Sequence, residues 1–246
     1  MHEQLCRYHF PVIDSTNTWA KANAHLLPHD RVTLITASIQ TAGRGRLPGR
    51  CWYSPGHQNF LGTFFFTVPA GRRDVANIPQ VLALSIAQIL DRRGVKVRFK
   101  WPNDLYIRDK KLAGILTETV VLNKHLGVVV GIGLNINMPL EHLQKIEKPA
   151  TSLLVETGES WEVSQLTYQI QKQFLADLHR FLRTGFSLFQ PKLEALSAFA
   201  KGQMLRFNDD THVWDAEYHS LHTDGSLNLV VNAGEIRSFC TGEIIS

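Results

Sequence analysis

The stretch KLAGILTETVVLNKHLGVVVGIGLNIN, residues 111–137, decides the fold. Leu112–Val121 is rich in β-branched and large apolar residues and predicts a strand. After Asn123 and Lys124 comes Leu126–Ile132, a continuous apolar run that is typical of a strand in the centre of a sheet. We therefore expect a β sheet to form the core of the main domain.

Strands and helices are also predicted on the N-terminal side of this stretch. The further strands are Val32–Ile39, Asn59–Val68, Val97–Lys100 and Leu105–Ile107. Ser15 and its neighbours can cap a helix, so a helix is predicted to begin near Thr16. Ile78–Arg93 has the apolar spacing of an amphipathic helix and ends at Gly94.

On the C-terminal side the pattern becomes helical and then returns to strands. Apolar residues repeat every four positions from Leu166 to Leu182, with Gly185 as the stop signal, and a shorter helix is predicted over Leu188–Ala198. The last short strands are predicted near Met204–Phe207, Val213–Leu221, Leu227–Val231 and Glu235–Cys240. We predict an α+β domain over residues 1–198 and a small barrel-like β domain over 199–246.

The composition is that of an ordinary globular protein. Its 246 residues include 44% hydrophobic and 20% charged residues, and 26 Lys and Arg against 22 Asp and Glu give a formal charge of +4. This apolar content excludes intrinsic disorder, and the runs Leu61–Val68 and Gly127–Leu134 are far too short for a membrane-spanning helix. A charge of +4 over this length is a weak overall field, so its local concentration matters more.

The ends and the cysteines point to a reduced compartment. The first residues contain no apolar segment of the kind found in secretory signals. Cys6, Cys51 and Cys240 are odd in number and lack the spacing of a zinc site or a disulfide framework. We predict a cytoplasmic protein.

The charge is concentrated in one glycine-rich loop, Gln40–Arg50. Arg44, Arg46 and Arg50 alternate with glycines there. Glycines let backbone N–H groups approach a ligand, and guanidinium groups match phosphate and carboxylate oxygens. The loop suits a polyanionic small molecule, although a solvated basic loop or a nucleic-acid contact is also compatible with these residues alone.

Three more clusters combine polar residues with glycine or proline. They are Lys100–Leu105 (KWPNDL), Lys111–Leu116 (KLAGIL) and Gly131–Asn137 (GIGLNIN). Gly114 interrupts a strand pattern, which suggests that a ligand approaches the backbone closely, and Lys111 is held where that strand begins. Each cluster alone could also be a packed turn or an exposed strand end. No P-loop, correctly spaced GxGxxG, GxSxG or HExxH motif occurs.

Taken together and in this order, the clusters resemble the biotin–protein ligases. The resemblance is dense from about residue 8 to 140, beginning at Ser15-Thr16-Asn17, and extends to the later regions in layout only. It implies a class II synthetase-like sheet packed with helices and a small SH3-like barrel. It also implies a two-step reaction, in which biotin and ATP with Mg²⁺ form biotinyl-5′-AMP, and the biotinyl group then passes to a lysine of a biotin carboxyl carrier protein.

The resemblance implies a role for individual residues. Lys111, Arg44 and Arg46 are expected to carry catalysis, with Lys111 contacting the biotin carboxylate and the α-phosphate. Substrate-binding roles are implied for Ser15, Thr16, Gln40, Gly43, Arg50, Trp52, Asn59, Lys100, Asp104, Gly114, Leu116, Gly131 and Asn135. No protein residue is expected to be a dedicated metal ligand, because Mg²⁺ would be held largely by ATP oxygens.

The sequence departs from the family pattern at two places near the expected site. Leu47 and Pro48 put two residues between Arg46 and Gly49, which weakens the assignment of Arg50 and Trp52. Gly62 stands where a serine is common, so one polar contact near the pocket is expected to be missing.

Two alternatives to the ligase are less consistent with the sequence. A lipoate- or octanoate-transferring enzyme is implied to share the fold class, but the Arg44–Trp52 loop and Lys100–Leu105 favour the biotin enzyme. A nucleic-acid-binding module is disfavoured because residues 202–246 contain only Arg206 and Arg237 as cations.

The early position of Ser15 predicts a form without a DNA-binding head. A homodimer stays open, since an exposed sheet edge could pair with itself or with the carrier.

Overall fold

A computed structural model describes residues 5–56 and 58–245 of the chain. The strands are β1 (Cys6–Ile13), β2 (Thr33–Gln40), β3 (Phe60–Pro69), β4 (Arg98–Lys100), β5 (Asp104–Ile107), β6 (Lys110–Leu122), β7 (His125–Leu134), β8 (Met204–Asn208), β9 (Val213–Leu221), β10 (Leu227–Val231), β11 (Glu235–Phe239) and β12 (Glu243–Ile245). The helices are α1 (Thr16–Ala22), α2 (Ile78–Asp91), α3 (Leu140–Leu143), α4 (Leu153–Thr157), α5 (Val163–Thr184) and α6 (Gln190–Glu194).

The chain divides into two compact units that do not follow its order. The first comprises the chain up to Ala76 together with Asp109–Gln169, and the second comprises Asn77–Arg108 and the chain from Ile170 onward. The α+β architecture confirms the predicted fold class. The expected domain boundary after residue 198 stays a prediction.

A mixed sheet forms the centre of the first unit. Its strands pair in the order β1-β2-β3-β7-β6, and every pair is antiparallel except the parallel pair β1 and β2. The long strands β6 and β7 are the two that the stretch 111–137 predicts. Helix α1 and the residues after it cover one face through Ala20, Ala24 and Leu27, which pack on Ile35, Phe65 and Val129.

The second unit contains the buried helix α2, the β4–β5 hairpin and an antiparallel sheet. The five strands of that sheet pair in the order β11-β10-β9-β8-β12, which is consistent with the predicted small barrel. The turn between β9 and β10 is fixed at Gly225, whose carbonyl accepts hydrogen bonds from Gln80 Nε2 at 2.9 Å and Trp101 Nε1 at 3.0 Å.

Two differences from the predicted elements have clear causes. Strand β1 was not predicted, because it pairs only with β2 within this unit, exposes most of its residues and contains Pro11, which an edge strand tolerates. Helix α6 is shorter than predicted because the chain after it pairs with β4. The N–H of Phe99 donates to Leu196 O, at 2.6 Å, and its carbonyl accepts from Ala198 N at 2.8 Å.

In the described part of the chain, every helix is too short or too polar to cross a bilayer.

Candidate active site

Three glycines on β6 and β7 form a bare patch on the sheet face that α1 covers. Gly131 pairs with Leu116 on one side and Thr63 on the other, and Gly133 pairs with Gly114. Paired residues and residues two apart along a strand point to the same face. The three glycines therefore leave a floor without side chains, which we call the glycine floor (Gly114, Gly131 and Gly133).

Asn17 lies on one end of the glycine floor. Ser15 caps α1, its side chain accepting a hydrogen bond from Thr18 N at 3.4 Å, and this sets the position of the first helical turn. A Cβ added at Gly131 would lie 2.3 Å from Asn17 Oδ1, so only glycine leaves room for this amide. Asn17 is buried, and its Nδ2 donates to Leu116 O at 3.1 Å.

A chain of buried polar groups runs from Asn17 to the end of β2. The Thr63 hydroxyl lies 2.6 Å from Asn17 Oδ1 and 2.7 Å from Thr16 Oγ1, and its single proton can be donated to only one of them at a time. Thr16 donates both its hydroxyl and its backbone N–H to Gln40 Oε1, at 3.0 and 2.7 Å. These groups place donors and acceptors beside an apolar floor.

Glu118 on β6 forms hydrogen bonds with three side chains at the Asn17 end of the glycine floor. Its carboxylate accepts from Lys21 Nζ at 2.8 Å, Asn17 Nδ2 at 3.0 Å and Arg44 Nη2 at 3.2 Å. Burial by itself would raise the pKa of this carboxyl, but the hydrogen bonds from Lys21 and Asn17 and the nearby positive charges outweigh it and lower the pKa. Glu118 is therefore ionised at neutral pH.

The basic loop folds back on itself. Trp52 N donates to Gly43 O at 2.9 Å, and Gly45 N donates to Arg50 O at 2.7 Å. Cβ atoms on Gly43 and Gly45 would lie within 3 Å of these same partners, which explains glycine at both positions. Gly49 has φ of +76° and makes the turn. The loop is thus narrow and hairpin-like although it has no regular strands.

Trp52 covers the other end of the glycine floor. A Cβ on Gly133 would lie 2.2 Å from its indole Cε2, and one on Gly114 would lie 3.0 Å from its Cζ3. The indole Nε1 is buried and has no hydrogen-bond partner among the described residues. Lys111 Nζ lies 5.8 Å from the ring centroid, so a cation stands beside this aromatic surface.

The backbone of Lys111 is held on its outer side by the segment before α4. Lys111 N donates to Pro149 O at 2.9 Å, and Thr151 N donates to Lys111 O at 2.9 Å. The backbone carbonyl of Thr151 in turn accepts a hydrogen bond of 3.0 Å from Asn135 Nδ2. The sequence predicts a lysine that is fixed where a strand begins. In the structure Lys111 is the second residue of β6, and both its backbone N–H and its carbonyl are hydrogen-bonded.

The two asparagines among the expected substrate-binding residues, Asn59 and Asn135, have different partners. Asn59 makes two internal bonds, donating to Ser54 Oγ at 2.8 Å and accepting Ile136 N at 2.9 Å. Asn135 Oδ1 is buried without a partner among the described residues, so one acceptor remains for a ligand. Asn59 therefore shapes the loop, whereas Asn135 keeps binding capacity.

The structure brings most of the expected site residues together in the first unit. Ser15, Thr16, Gln40, Gly43, Arg44, Trp52, Lys111, Gly114, Leu116 and Gly131 all lie on or beside the glycine floor or in contact with a residue that does. Arg46 is half-buried and Arg50 exposed in the loop. Lys100 and Asp104 belong to the second unit, where they face each other across the β4–β5 hairpin.

Three residues of this site, Asn17, Glu118 and Thr63, are not among those expected from the sequence. Asn17 belongs to the Ser15-Thr16-Asn17 motif, but no substrate-binding role was expected for it. Glu118 is the only acidic residue in β6, and a lone charge within a strand pattern was a usable signal. Thr63 supplies a hydroxyl immediately after Gly62, where a polar contact was expected to be missing.

Among residues 5–56 and 58–245, no group of three or more His, Cys, Asp or Glu side chains is arranged to hold a metal ion.

The comparisons with known proteins agree on a family. A model described as the biotin/lipoate A/B protein ligase family matches residues 9–135, about half of the chain. The chain therefore belongs to the biotin/lipoate A/B protein ligase family.

Individual relatives carry biotin ligase names. The bifunctional ligase/repressor BirA of Escherichia coli is 30% identical over 236 residues, which cover 95% of this chain and 72% of that protein. The biotin–[acetyl-CoA-carboxylase] ligase of Mycobacterium tuberculosis is 36% identical over 130 residues, 51% of this chain and 46% of that protein.

A solved structure has the same fold. The biotin protein ligase from Aquifex aeolicus in complex with biotin and ATP aligns with a TM-score of 0.80 and 26% identity, covering 98% of this chain and 97% of that one.

Proposed function

We propose that this protein, an ATP-dependent biotin–protein ligase by its family and fold, forms biotinyl-5′-AMP and then transfers the biotinyl group to a lysine of a carrier domain. Its relatives in Escherichia coli and Mycobacterium tuberculosis are named as ligases. The Aquifex aeolicus enzyme of the same fold has been solved with biotin and ATP. These findings support biotin and ATP as the substrates.

The glycine floor carries this proposal. Biotin has a compact fused ring system with an apolar thioether ring and a urea group that both donates and accepts hydrogen bonds, and it has an acidic tail. At the Gly131 end the floor offers the hydroxyls and amides of Thr63 and Asn17. At the Gly133 end it offers the Trp52 indole with Lys111 beside it. Apolar surface with polar groups at one end and a cation at the other fits this ligand.

The first step requires fixed positive charge. An oxygen of the biotin carboxylate attacks the α-phosphorus of ATP, the new O–P bond forms, and the bond to the β-phosphate oxygen breaks to release pyrophosphate. Both reactants are anions, so cations held in place must offset their repulsion and the charge that develops. We assign this role to Lys111, Arg44 and Arg46.

The second step needs an amine acceptor. The uncharged lysine amine of the carrier attacks the acyl carbon, AMP leaves with the electron pair of the broken bond, and the new amide loses a proton. The name of the Mycobacterium tuberculosis relative supports the biotin carboxyl carrier protein of acetyl-CoA carboxylase as the acceptor. The homodimer and the cytoplasmic location stay predictions.

Mg²⁺ is part of this proposal as a companion of ATP. It prefers oxygen ligands and usually keeps water and substrate phosphates among them, which suits the three phosphates of ATP. The roles expected for Lys100 and Asp104 also stay predictions, because these residues lie in the second unit.

One experiment tests the proposal directly. The purified protein is incubated with biotin, Mg·ATP and a carboxylase carrier domain, and carrier-linked biotin is measured by mass spectrometry. We expect a mass increase of the carrier that requires ATP and disappears when the acceptor lysine of the carrier is replaced by arginine. Parallel incubations contain lipoic or octanoic acid in place of biotin, and modification of the carrier by one of these acids but not by biotin would overturn the proposal.

A matched pair of variants locates the chemistry. Lys111→Ala is expected to reduce biotin-dependent pyrophosphate exchange by at least about 100-fold, because a charged contact to the reacting oxygens is lost. Lys124→Ala removes an exposed lysine between β6 and β7 and is the control. Equal exchange rates in the two variants would contradict the role of Lys111.

A further inference from the structure

The carboxylate of Glu118 has no part in the reaction as derived so far, yet it bonds to Asn17 at one end of the glycine floor and to Arg44 of the basic loop. Its side chain is only 19% exposed, whereas the side chains of Asp and Glu are mostly exposed in proteins. It stands two residues along β6 from Leu116, on the same face as the glycine floor. Taking a carboxylate out of water is costly, and a buried ion pair is weak evidence for stability as such.

The partners of Glu118 are divided between its two oxygens. Oε1 accepts Lys21 Nζ at 2.8 Å, and Oε2 accepts Asn17 Nδ2 at 3.0 Å. Arg44 Nη2 lies between them, 3.3 Å from Oε1 and 3.2 Å from Oε2. One carboxylate thus links the first turn of α1, the sheet and the basic loop.

We infer that Glu118 is a positioning residue for the formation of the adenylate: it fixes the orientation of the Asn17 amide over the glycine floor and holds the Arg44 guanidinium at the edge of that floor. This inference rests on the proposed function, because it concerns the same reaction.

The orientation of Asn17 follows from its acceptors. Leu116 O and Glu118 Oε2 both require the NH₂ group of the amide on the β6 side. The amide oxygen is then left facing Thr63, whose hydroxyl lies 2.6 Å away. Without an acceptor at Glu118, the Asn17 amide loses one of the two contacts that distinguish its nitrogen from its oxygen. The orientation of the polar groups at the Gly131 end of the glycine floor is then no longer fixed.

The position of Arg44 depends on charge. Its side chain is 46% exposed, and the glycines on either side of it leave the loop backbone little intrinsic stiffness. Glu118 engages it through Nη2 only, at 3.2 Å, so the guanidinium has further donors that can meet an anionic substrate. The carboxylate reduces the number of positions that this long side chain samples before the substrate arrives.

Three substitutions at one position separate these effects. Glu118→Gln keeps the shape but removes the charge, and we expect kcat/KM for biotin in pyrophosphate exchange to fall about tenfold, mainly through KM. Glu118→Ala removes the contacts to Asn17, Arg44 and Lys21 and is expected to lower kcat/KM about 100-fold or more. Glu118→Asp, which keeps the charge on a shorter side chain, is expected to recover part of the loss. Glu159→Gln, the same change at an exposed position of the first unit, is the control.

A double-mutant cycle with Arg44 distinguishes positioning from general stability. If Glu118 acts through Arg44, the loss caused by Glu118→Gln shrinks to about twofold in an Arg44→Ala background. An equal loss in both backgrounds would overturn the role assigned to Glu118 in holding Arg44, and a loss that follows the melting temperature across the variants would overturn the whole inference. Activity of Glu118→Gln and Glu118→Ala at the level of the parent protein would also overturn it. The proposed function is tested separately by the unsubstituted protein, which must biotinylate the carrier.

Discussion

Gly131 in the first unit and Gly225 in the second are each pressed against a side-chain amide. A Cβ on Gly131 would lie 2.3 Å from Asn17 Oδ1, and one on Gly225 would lie 1.9 Å from Asn77 Nδ2. Gly131 lies within β7, whereas Gly225 has φ of +84° in the turn between β9 and β10. The same packing device therefore occurs once in a strand and once in a turn.

The partners of the two amides show what differs. Asn77 and Gln80 donate to backbone carbonyls of the turn, at 2.7 and 2.9 Å, so their hydrogen bonds serve only the fold. Asn17 bonds mainly to other side chains, Thr63 and Glu118, and through Glu118 it is linked to charged groups. Amides that bond to backbone carbonyls stabilise a turn. An amide that bonds to hydroxyl and charged side chains belongs to a group of polar side chains that can also bind a substrate.

The largest effect is expected at Gly225, because two penalties add there. Gly225→Ala puts a side chain at positive φ, which costs about 1–2 kcal/mol, and drives its Cβ into Asn77 and Gln80. Breaking their bonds to the turn adds about 1 kcal/mol each. We expect the free energy of unfolding to fall by about 3 kcal/mol, measured by urea unfolding.

Gly202→Ala isolates the backbone penalty in that experiment. Gly202 has φ of +83°, and nothing lies within 4 Å of the position its Cβ would take. If Gly202→Ala destabilises the protein as much as Gly225→Ala does, the amide contact contributes nothing, and the comparison between the two glycines fails.

At Gly131 we expect a smaller loss of stability and a larger loss of activity. Gly131→Ala introduces no backbone strain, but Asn17 must move away from Thr63 and Glu118. The free energy of unfolding should fall by about 1–2 kcal/mol from the weakened hydrogen bonds. The KM for biotin should rise at least about tenfold, since the polar end of the slot is displaced.

Gly127→Ala is the matched control on the same strand. Its Cβ would meet the ends of the Leu122 and Phe65 side chains, at 2.9 and 3.0 Å, and these can shift more readily than a bonded amide. We expect its biotin KM to stay close to that of the parent protein. An equal rise in KM in both variants would show that Asn17 has no special part in substrate binding.

The sequence was sufficient to predict features that depend on neighbouring residues. The apolar run Leu126–Ile132 predicts β7, and the glycine-rich stretch Gln40–Arg50 predicts a loop, because periodicity and turn chemistry act over a few residues. The family resemblance then placed Gln40, Thr16 and Lys111 in one site, and the structure brings the first two into contact.

Features that depend on distant pairing were not predictable in this way. Asn17 and Glu118 meet across 101 residues of chain, and only the register of β6 with β7 puts Glu118 on the covered face. In the same way, the early end of α6 depends on the backbone bonds of Leu196 and Ala198 to Phe99. A helical pattern in the sequence does not contain that competing partner.

The smallest predicted effect is the dependence of stability on pH that Asp224 causes in the turn containing Gly225. Burial favours the neutral form of Asp224, but hydrogen bonds from Ser226 and the neighbouring His222 outweigh it and lower the pKa of Asp224 to about 2. Because its pKa is about 3.9 in an unfolded chain, the charged carboxylate stabilises the folded state above that pH. This contribution is lost as the pH falls from about 4 to about 2.

Asp224→Asn should remove that dependence with little other change. An asparagine oxygen can still accept the Ser226 N–H, which Asp224 Oδ1 accepts at 2.9 Å, so the turn that carries Gly225 should keep its shape. We expect the variant to be slightly less stable than the parent at about pH 5 and equally stable at about pH 2, by urea unfolding. A difference that stays constant over this range would mean that the charge of Asp224 does not support the turn. The turn around Gly225 would then depend only on its amide and backbone contacts. It would differ even more from the surroundings of Gly131, where Asn17 is bonded to the charged Glu118.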